Sequence, residues 1–530
     1  MRSPVFLESR AITALRHLCF LLLFFWLAYP VQAQVQPANP DSALQVILAS
    51  VQGTPLSFQD ALGLAVKQAP ELRIANAGSK AAQAVVRRER NAFEPRLFFT
   101  LDHENNRLPT ASFFAGAPIL ETRQTMTQTG IRVALPTGAQ IEAAINTVSL
   151  RTNSNFAFLN PQYTTLGTVT VRQPLMSGFF ISGRRDLDKA HTDLDAAEAR
   201  RDQTSLTVQA EVEKKYWDLY AATRDFAVQQ LLRDNAAALL QEAELRAAAG
   251  LVGPSQVANA RVFLADQELA VLDRIEALDR VSDQLATLIG SRPASGQIRF
   301  LAVDEPPSTF PVAPVDTLLK KAMASNLDLF AGKKDIEGIE ILRRATKWQS
   351  MPQVDVVGTI GGNGLAGVAQ QVIFGGDTLA TDRGGSISEA LNQSLARDYS
   401  NWSVGVEVTI PISLFGGSGE TARLHAERVR AEERYVATAR ALEEQVRATH
   451  RELLHGRQRL EVARIGVDAA QEQVRIGLIE FRNGRSTAFE LVRLGADLAV
   501  AQQRYSQELV RTAKAAATLR QLTSGAYPVR

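Results

Sequence analysis

The stretch IEFRNGRSTAFELV, Ile479 to Val492, interrupts a long run of helical sequence with a single Asn-Gly pair. A similar break, AAAGLVGPSQVANA from Ala247 to Ala260, lies near the middle of the chain. From Glu420 to Gly484 the sequence is rich in Ala, Glu, Arg and Leu and contains no Pro, which favours one continuous helix. At 1.5 Å per residue that helix would be roughly 95 Å long, more than a compact domain holds. The two breaks therefore predict the turns of two long helical hairpins.

A heptad pattern runs through these helices. Large apolar residues recur every seven positions at Val446, Leu453, Leu460, Val467 and Val474. Three positions after each lies a smaller residue, such as Gly456 or Gly477. The first half repeats the pattern at Val212, Leu219, Phe226 and Leu240, and Arg233 breaks it once. Such a seam is typical of closely packed coiled-coil helices. Periodicity alone is equally compatible with a bundle core, but the length and the charged faces predict a projection outside lipid.

The chain is a tandem repeat. Three pairs of matching positions mark the two copies: Pro95 with Pro352, Pro174 with Pro411, and Gly250 with Gly484. Each copy is expected to hold a short helix, several strands and a long helical hairpin. In repeat 1, residues 54–300, we place strands at about 96–175 and hairpin helices at 184–290, with the tip at 250–256. In repeat 2, residues 301–525, we place a short helix at 315–347, strands at about 352–412 and helices at 419–523, with the tip at 484–490.

The N-terminus has the features of a secretory signal peptide. Three arginines precede the apolar run Leu18–Ala28, which is too short to span a bilayer. We place the cleavage after Ala33, so that residues 1–33 are removed, 34–53 form a linker and 526–530 a C-terminal tail. The only cysteine, Cys19, lies in the removed segment, which excludes disulfides and cysteine metal sites from the mature chain. A net charge of +2 gives no indication of a nucleic-acid partner.

Alternating segments between the helical parts predict transmembrane β-strands, with a soluble sandwich as the alternative. They are Arg96–Asn105, a hairpin within Gln128–Leu150, Thr165–Leu175, Pro352–Gly361 and Asn401–Ile412. Four to six strands per chain are too few to close a barrel, since about eight is the small end. An open sheet edge is not tolerated in lipid. Strands in a membrane would therefore require several chains to share one barrel, and three chains would supply about 12 to 18 strands.

The order of these parts resembles the TolC-type outer-membrane efflux protein family, from about Leu56 to Gly525. The FRNGRSTAFELV turn and LPTG followed by QPLMSGF carry the resemblance. It implies an α+β membrane protein with an internal tandem duplication. It also implies a homotrimer whose shared β-barrel, with 4 to 6 strands per chain, sits in outer-membrane lipid and continues into a long α-helical coiled-coil periplasmic tunnel.

The resemblance further implies an exit duct for tripartite efflux or type I secretion, which passively exports small molecules or proteins. Its partners would be a periplasmic adaptor protein and an inner-membrane efflux pump or ABC transporter. Such a channel is not an enzyme and needs no cofactor or metal. The alternative is a periplasmic coiled-coil adaptor, although two tandem hairpins preceded by strands count against it. A secreted fibrous protein is a third possibility, and it would leave the Pro-marked strands unexplained.

The same resemblance implies a gate at the second turn, where the family places acidic residues. Glu490 occupies the first acidic position, Arg493 stands at the second, and their repeat-one equivalents are Gln256 and Asn259. Three Glu490 carboxylates would favour cations, or Glu490 is simply a solvated residue at a helix start. Phe481 replaces a family tyrosine, and Arg485 lies one position from the usual basic site. The closed-state lock must therefore differ from the family pattern.

Six further tip residues are expected to form the turns and to contact the adaptor: Gly250, Leu251, Val257, Gly484, Ser486 and Leu491. The two glycines are the expected turn residues, because glycine adopts a positive φ at little cost. One motif argues for a different function. Gly362, Gly364 and Gly367 form G-x-G-x-x-G, but no series of βαβ units surrounds them, so we expect an extracellular loop rather than a dinucleotide site.

Overall fold

The computed structural model describes residues 40–410, 418–483 and 485–523. The expected signal peptide, Pro411, Gly484 and the C-terminal tail lie outside these residues. The elements of the first half are α1 Pro40–Ser50, β1 Thr54–Leu56, α2 Phe58–Gln68, α3 Pro70–Arg90, β2 Arg96–Pro109, β3 Ile119–Ala134, β4 Gln140–Thr152, β5 Leu159–Pro174, α4 Arg185–Ala248 and α5 Pro254–Ile289. Those of the second half are β6 Phe300–Ala302, α6 Val315–Ser325, α7 Leu327–Gln349, β7 Gln353–Ala369, β8 Val372–Phe374, β9 Asp377–Leu379, α8 Ile387–Ala396, β10 Tyr399–Thr409, α9 Ser418–Arg482 and α10 Ala488–Thr523.

The chain divides into two compact units. One holds the residues up to Gln52 together with Thr223–Ala277 and Ile465–Arg504. The other holds Gly53–Ala222, Leu278–Arg464 and the residues from Tyr505 onward. The first unit contains both hairpin tips, and the second contains every strand found in the described residues.

Six strands form one antiparallel sheet in the order β10-β7-β5-β4-β3-β2. The count lies at the top of the predicted range of four to six, and the hairpin expected within Gln128–Leu150 is present as β3 and β4. Strands β10 and β2 are the two edges, and neither has a second partner within the described chain. The sheet therefore ends in two unpaired edges.

The two faces of this sheet differ in chemistry. Exposed apolar side chains lie on one face, here called the apolar face: Leu97, Phe99, Leu101, Ile131, Val169, Val171, Ile360, Trp402, Val404, Val406 and Val408. The opposite, polar face carries an ion-pair network in which Arg172 contacts Asp355 at 2.7 Å and Glu407 at 2.8 Å. Thr170 and Thr359 on that face are hydrogen-bonded at 3.1 Å. One face suits lipid and the other suits an aqueous lumen.

The glycine motif does not form the loop expected for it. Gly362, Gly364 and Gly367 all lie within β7. Helix α8 packs so closely against this strand that a Cβ at Gly364 would overlap the carbonyl oxygen of Ala390, and one at Gly362 that of Ser394. The glycines let the helix approach the sheet closely. Because they replace side chains along β7, this part of the strand lacks the alternation of apolar and polar residues that usually reveals a strand.

The two long hairpins have matching dimensions. Helices α4 and α9 have 64 and 65 residues, and α5 and α10 have 36 each. Val446, Leu453 and Leu460 are buried, as the heptad pattern predicts. A Cβ built on Gly456 would lie only 2.7 Å from Oγ1 of Thr512, so the small position of the seam lets α10 pack closely against α9. In the described residues no helix is both long enough and apolar enough to cross a bilayer.

The short helices differ from the prediction. The single helix expected at 315–347 is two helices, α6 and α7, and repeat 1 likewise has α2 and α3. The break in repeat 2 lies at Asn326, whose side-chain oxygen accepts a hydrogen bond from the backbone N–H of Leu329 at 2.9 Å. In repeat 1, Pro70 starts the second helix. Each residue favours a helix start, and our prediction of one continuous helix overlooked both.

The segment that we expected to be a linker contains helix α1. Leu44 on this helix is buried against Ala227, Val228 and Ala499. These three partners lie far away in the sequence, on α4 and α10. Composition around residues 34–53 therefore gave no sign of the packing, and the linker prediction was wrong for Pro40–Ser50.

A buried tyrosine joins the start of repeat 1 to the start of repeat 2. Strands β1 and β6 pair in parallel, and Tyr216 from α4 lies beside them. Its hydroxyl accepts from the backbone N–H groups of Val303 and Asp304, both at 3.1 Å, and lies 2.9 Å from the carbonyl oxygen of Leu56. Burial raises the pKa of Tyr216 to about 12. The phenol stays protonated and acts as a structural hydrogen-bond hub.

Candidate functional site: the two hairpin tips

The first tip ends helix α4 with a left-handed residue. Gly250 has a φ of +73°. The backbone N–H of Leu251 donates to the carbonyl oxygen of Arg246 at 2.9 Å, the 6→1 bond of a Schellman motif. Pro254 then begins α5, at a position where its missing N–H costs nothing. Gly250 thus occupies the turn in the left-handed conformation that glycine adopts at little cost.

The second tip repeats the same hydrogen bond. The N–H of Arg485 donates to the carbonyl oxygen of Glu480 at 2.9 Å, which ends α9 as the first tip ends α4. Helix α10 then starts with a side-chain cap, because Thr487 Oγ1 accepts from the N–H of Glu490 at 3.2 Å. The two copies thus share their helix-ending chemistry, although their helix starts differ.

Glu490 lies exposed in the first turn of α10. The hydroxyl of Ser486 donates to its carboxylate at 3.4 Å. Arg485 and Arg493 are also exposed, and within the described residues neither forms an ion pair with Glu490. A carboxylate in this position is favoured by the positive end of the helix dipole. Local geometry therefore accounts for Glu490 as a helix-start residue, and its role as a gate stays a prediction.

A groove of about 500 Å³ lies between the tips, within the unit that holds both of them. It is lined by Leu239, Glu242, Ala243, Arg246, Val252, Gln256, Asn259, Ala260, Phe263, Thr487 and Phe489. The predicted residues Gln256 and Asn259 are therefore brought together with the second tip. Glu490, Arg493, Arg485 and the half-buried Phe481 do not line it.

Sequence reasoning missed the aromatic residues of this groove. Phe489 is 66% exposed although it lies in the first turn of a helix, and Phe263 lines the opposite side. The available signal was an apolar ring next to the Thr487 cap, where a solvated helix start usually carries polar residues. Glu242 and Arg246 form an ion pair at 2.6 Å beside the rings. The groove thus combines apolar surface with a fixed charged border, as protein-binding sites often do.

Leu251, Val257, Ser486 and Leu491 are the remaining predicted tip residues. Leu251 is exposed at the first turn, whereas the other three are partly buried. None of the four lines the groove. Their contact with an adaptor stays a prediction.

The sequence matches the family of outer membrane efflux proteins in two blocks, residues 61–291 and 318–525. The chain belongs to the outer membrane efflux protein family. The two blocks correspond to two tandem copies, and the family is one of transport channels, not enzymes. An outer-membrane location and a role in efflux follow, and the periplasmic adaptor alternative is set aside.

Solved structures of outer-membrane proteins, two of them channels, share the fold of this efflux protein. VceC from Vibrio cholerae has 16% identity and a TM-score of 0.60, covering 88% of this chain and 96% of VceC. CmeC from Campylobacter jejuni has 13% identity and a TM-score of 0.60, covering 88% and 85%. The open state of MtrE from Neisseria gonorrhoeae has 15% identity and a TM-score of 0.58, covering 88% and 89%. A search of curated proteins by sequence found no match.

Proposed function

We propose that three copies of this efflux protein form one passive duct through the outer membrane. The observation that carries this proposal is the six-stranded sheet, which has one apolar face, one polar face and two unpaired edges. In lipid, unpaired backbone groups at a sheet edge cost several kcal/mol each. The edges must therefore pair with other copies of the chain.

The strand directions permit this closure. All neighbouring strands are antiparallel, so the edge strands β10 and β2 run in opposite directions. Pairing β10 of one copy with β2 of the next continues the antiparallel order around a ring. Three copies then give a barrel of about 18 strands, in the size range that leaves a water-filled lumen. The polar face, with Arg172 and Glu407, would line that lumen.

The hairpin tips would supply the gate and the docking site for a periplasmic adaptor. The groove that contains Phe263 and Phe489 offers apolar rings beside fixed charges, a combination that suits the end of another helical hairpin. Glu490 and Arg493, both exposed, would face the opening between copies and set its charge. An inner-membrane efflux pump or ABC transporter would deliver small molecules or proteins to this end of the duct.

An accumulation assay tests the function directly. Cells lacking this chain are complemented with the wild-type gene or with Phe489→Ala, and retention of a fluorescent efflux dye is measured. The wild type is expected to lower retention, and Phe489→Ala to restore most of it through weakened adaptor docking. Leu272→Ala is the matched control, because Leu272 is an exposed apolar residue of the same unit outside the groove.

Two results would contradict the proposal. If the wild-type chain changed neither dye retention nor export of any secreted protein, the role as a duct would be wrong. If Phe489→Ala and Leu272→Ala behaved alike, with both proteins present at wild-type levels in the outer membrane, the groove would not be the docking site.

A further inference from the structure

Helix α8 packs on the apolar face of the sheet, the face that the proposed function places against lipid. Ala390 lies against Gly364, and Ser394 lies against Gly362 and Gly167. The Ser394 hydroxyl donates to the carbonyl oxygen of Gly362 at 2.7 Å and accepts from the N–H of Gly167 at 2.8 Å. These buried contacts fix the helix against strands β5 and β7.

The helix covers a gap in the row of apolar side chains on β7. Ile360 on β7 pairs with Trp402 on β10, and both are exposed on the apolar face. The next positions on that face of β7 are Gly362 and Gly364, which have no side chains, and their partners on β5 are Gly167 and Thr165. On β7, the next exposed apolar side chain of that face after Ile360 is Val368, eight residues further along the strand.

The apolar band formed by the strand side chains below α8 is short for a membrane. From Trp402 to Ile410 it runs for roughly 27 Å at 3.3 Å per residue. A strand tilt of about 40° reduces this to roughly 20 Å of height, whereas the apolar band of outer-membrane barrels is about 25 Å tall. Some other element must cover the difference on this part of the wall.

The outward surface of α8 is amphipathic. Ile387, Leu391 and Leu395 recur every fourth residue and so share one side of the helix. Ile387 is 49% exposed and Leu395 is 60% exposed, while Leu391 is partly buried. Ser388 and Asn392, also exposed, lie on the neighbouring polar side. Exposed leucine and isoleucine in this arrangement are typical of helices that lie in a membrane interface.

We propose that α8 is an interfacial helix, and that Ile387, Leu391 and Leu395 contact the acyl chains of the outer leaflet. The helix supplies the apolar surface that the glycines of β7 lack, and it extends the lipid-facing band above Ile360. This inference rests on the proposed function, because the apolar face must first face lipid. The occupant is lipid rather than another protein, since the surface continues the exposed band of Trp402 and Val404 on the same face.

Site-directed spin labelling tests the proposal in the assembled protein. Single cysteines are placed at Leu395, Asn392, Val404 or Ser403 in a Cys19→Ser chain, and the labelled proteins are reconstituted in liposomes. Collisions with oxygen, which concentrates in lipid, are compared with collisions with a water-soluble nickel chelate. The label at Leu395 is expected to match that at Val404, with oxygen accessibility at least severalfold above that of the polar-face label at Ser403. The Asn392 label should be the more accessible of the two α8 labels to nickel.

Three outcomes would decide against it, and they are distinguishable. If Val404 itself is nickel-accessible, the proposed membrane duct fails. If Val404 is in lipid but Leu395 is as nickel-accessible as Asn392, α8 lies in water and only this inference fails. If Leu395 is shielded from both reagents, a neighbouring copy covers the helix and the lipid contact is wrong. Ile387→Cys at the other end of α8 gives a second reading should the Leu395 label prevent assembly.

Discussion

At the residue scale, the two tips share a backbone turn but differ in charge. Both outgoing helices end with the same 6→1 hydrogen bond, at Leu251 and at Arg485. At the next matching position the first tip has the neutral Gln256, which lines the groove, and the second has Glu490, which does not. Duplication has therefore preserved the turn while the side chains after it have diverged. A difference in charge between the two tips of the gate is therefore expected at Gln256 and Glu490.

We expect Glu490→Gln to lower the cation preference and the single-channel conductance of the reconstituted duct. Three carboxylates near one opening attract cations, and their removal takes away that field. Arg485→Gln is expected to change conductance in the opposite sense. Gln256→Glu is the control, because it places a carboxylate at the matching position of the first tip and so shows what a carboxylate does there rather than at position 490. Recordings in which neither Glu490→Gln nor Arg485→Gln differs from wild type would remove both residues from the gate.

Tyr216→Phe is expected to destabilise the protein by about 1–3 kcal/mol, because two partly buried backbone N–H groups lose their acceptor. Thermal unfolding in detergent, followed by circular dichroism, would show a lower Tm. Tyr435→Phe is the matched control, since the Tyr435 hydroxyl makes no hydrogen bond within the described chain. Equal Tm values for the two variants would show that the Tyr216 hydroxyl contributes nothing.

At the element scale, close packing of α9 against α10 depends on a few small residues. A Cβ at Gly456 would lie 3.3 Å from Cβ of the buried Thr512 and closer still to its Oγ1, whereas nothing lies within 4 Å of a Cβ at Gly466. Both glycines lie inside the same helix, where alanine is intrinsically favoured by about 1 kcal/mol. The two positions therefore separate helix propensity from packing.

We expect Gly466→Ala to raise the Tm or leave it unchanged, and Gly456→Ala to lower it. At Gly456 the added methyl group forces the helices apart or displaces Thr512, and overpacking of this kind costs about 1–3 kcal/mol. Thermal unfolding of the two variants side by side is the measurement. Stabilisation by both substitutions would mean that the heptad seam is loosely packed.

Glu340 on α7 predicts an acid-dependent stability. Bidentate hydrogen bonds from Arg343, at 2.6 and 2.7 Å, and a further hydrogen bond from Arg344 lower the pKa of Glu340 from 4.5 to about 2. Since the folded pKa is depressed, this stabilisation is complete above about pH 4.5 and is lost as the pH falls toward 2.

The expected result is that Glu340→Gln has a lower Tm than wild type at pH 7, and that the difference shrinks between pH 4.5 and 2. Glu337→Gln, an exposed position on the same helix, is the control and should show a smaller difference at pH 7. A Tm difference for Glu340→Gln that stays constant over this pH range would show that the arginine contacts do not act through ionisation.

The sequence predicted the elements whose signals are local. The heptad seam at Val446 and Leu453 and the turn at Gly250 follow from periodicity and from the conformational freedom of glycine. It did not predict α1, whose Leu44 is buried by residues far away in the chain. Nor did it predict that Gly362 and Gly364 lie in a strand, because the reason for those glycines is the helix that packs on them. The groove residue Phe489 was missed for the same reason: its partners come from the other hairpin.

At the scale of the whole molecule, the sheet accounts for the assembly. The described part of one chain supplies six strands to this sheet and leaves two free edges. Six strands do not close a barrel, and free edges leave backbone groups unpaired in lipid. Self-association is therefore a requirement of the fold rather than an addition to it. The central claim is that β10 of one copy pairs with β2 of the next.

Disulfide trapping across that junction tests the claim most directly. In a Cys19→Ser chain, Ser403→Cys on the polar face of β10 is combined in turn with cysteine at Phe98, Thr100, Asp102 or Glu104 on the polar face of β2. Outer-membrane fractions are oxidised and run on denaturing gels without reductant. The account predicts that at least one pair gives covalent dimers and trimers, and no larger species. Well-folded protein in the outer membrane that forms no interchain disulfide with any of the four pairs would contradict it.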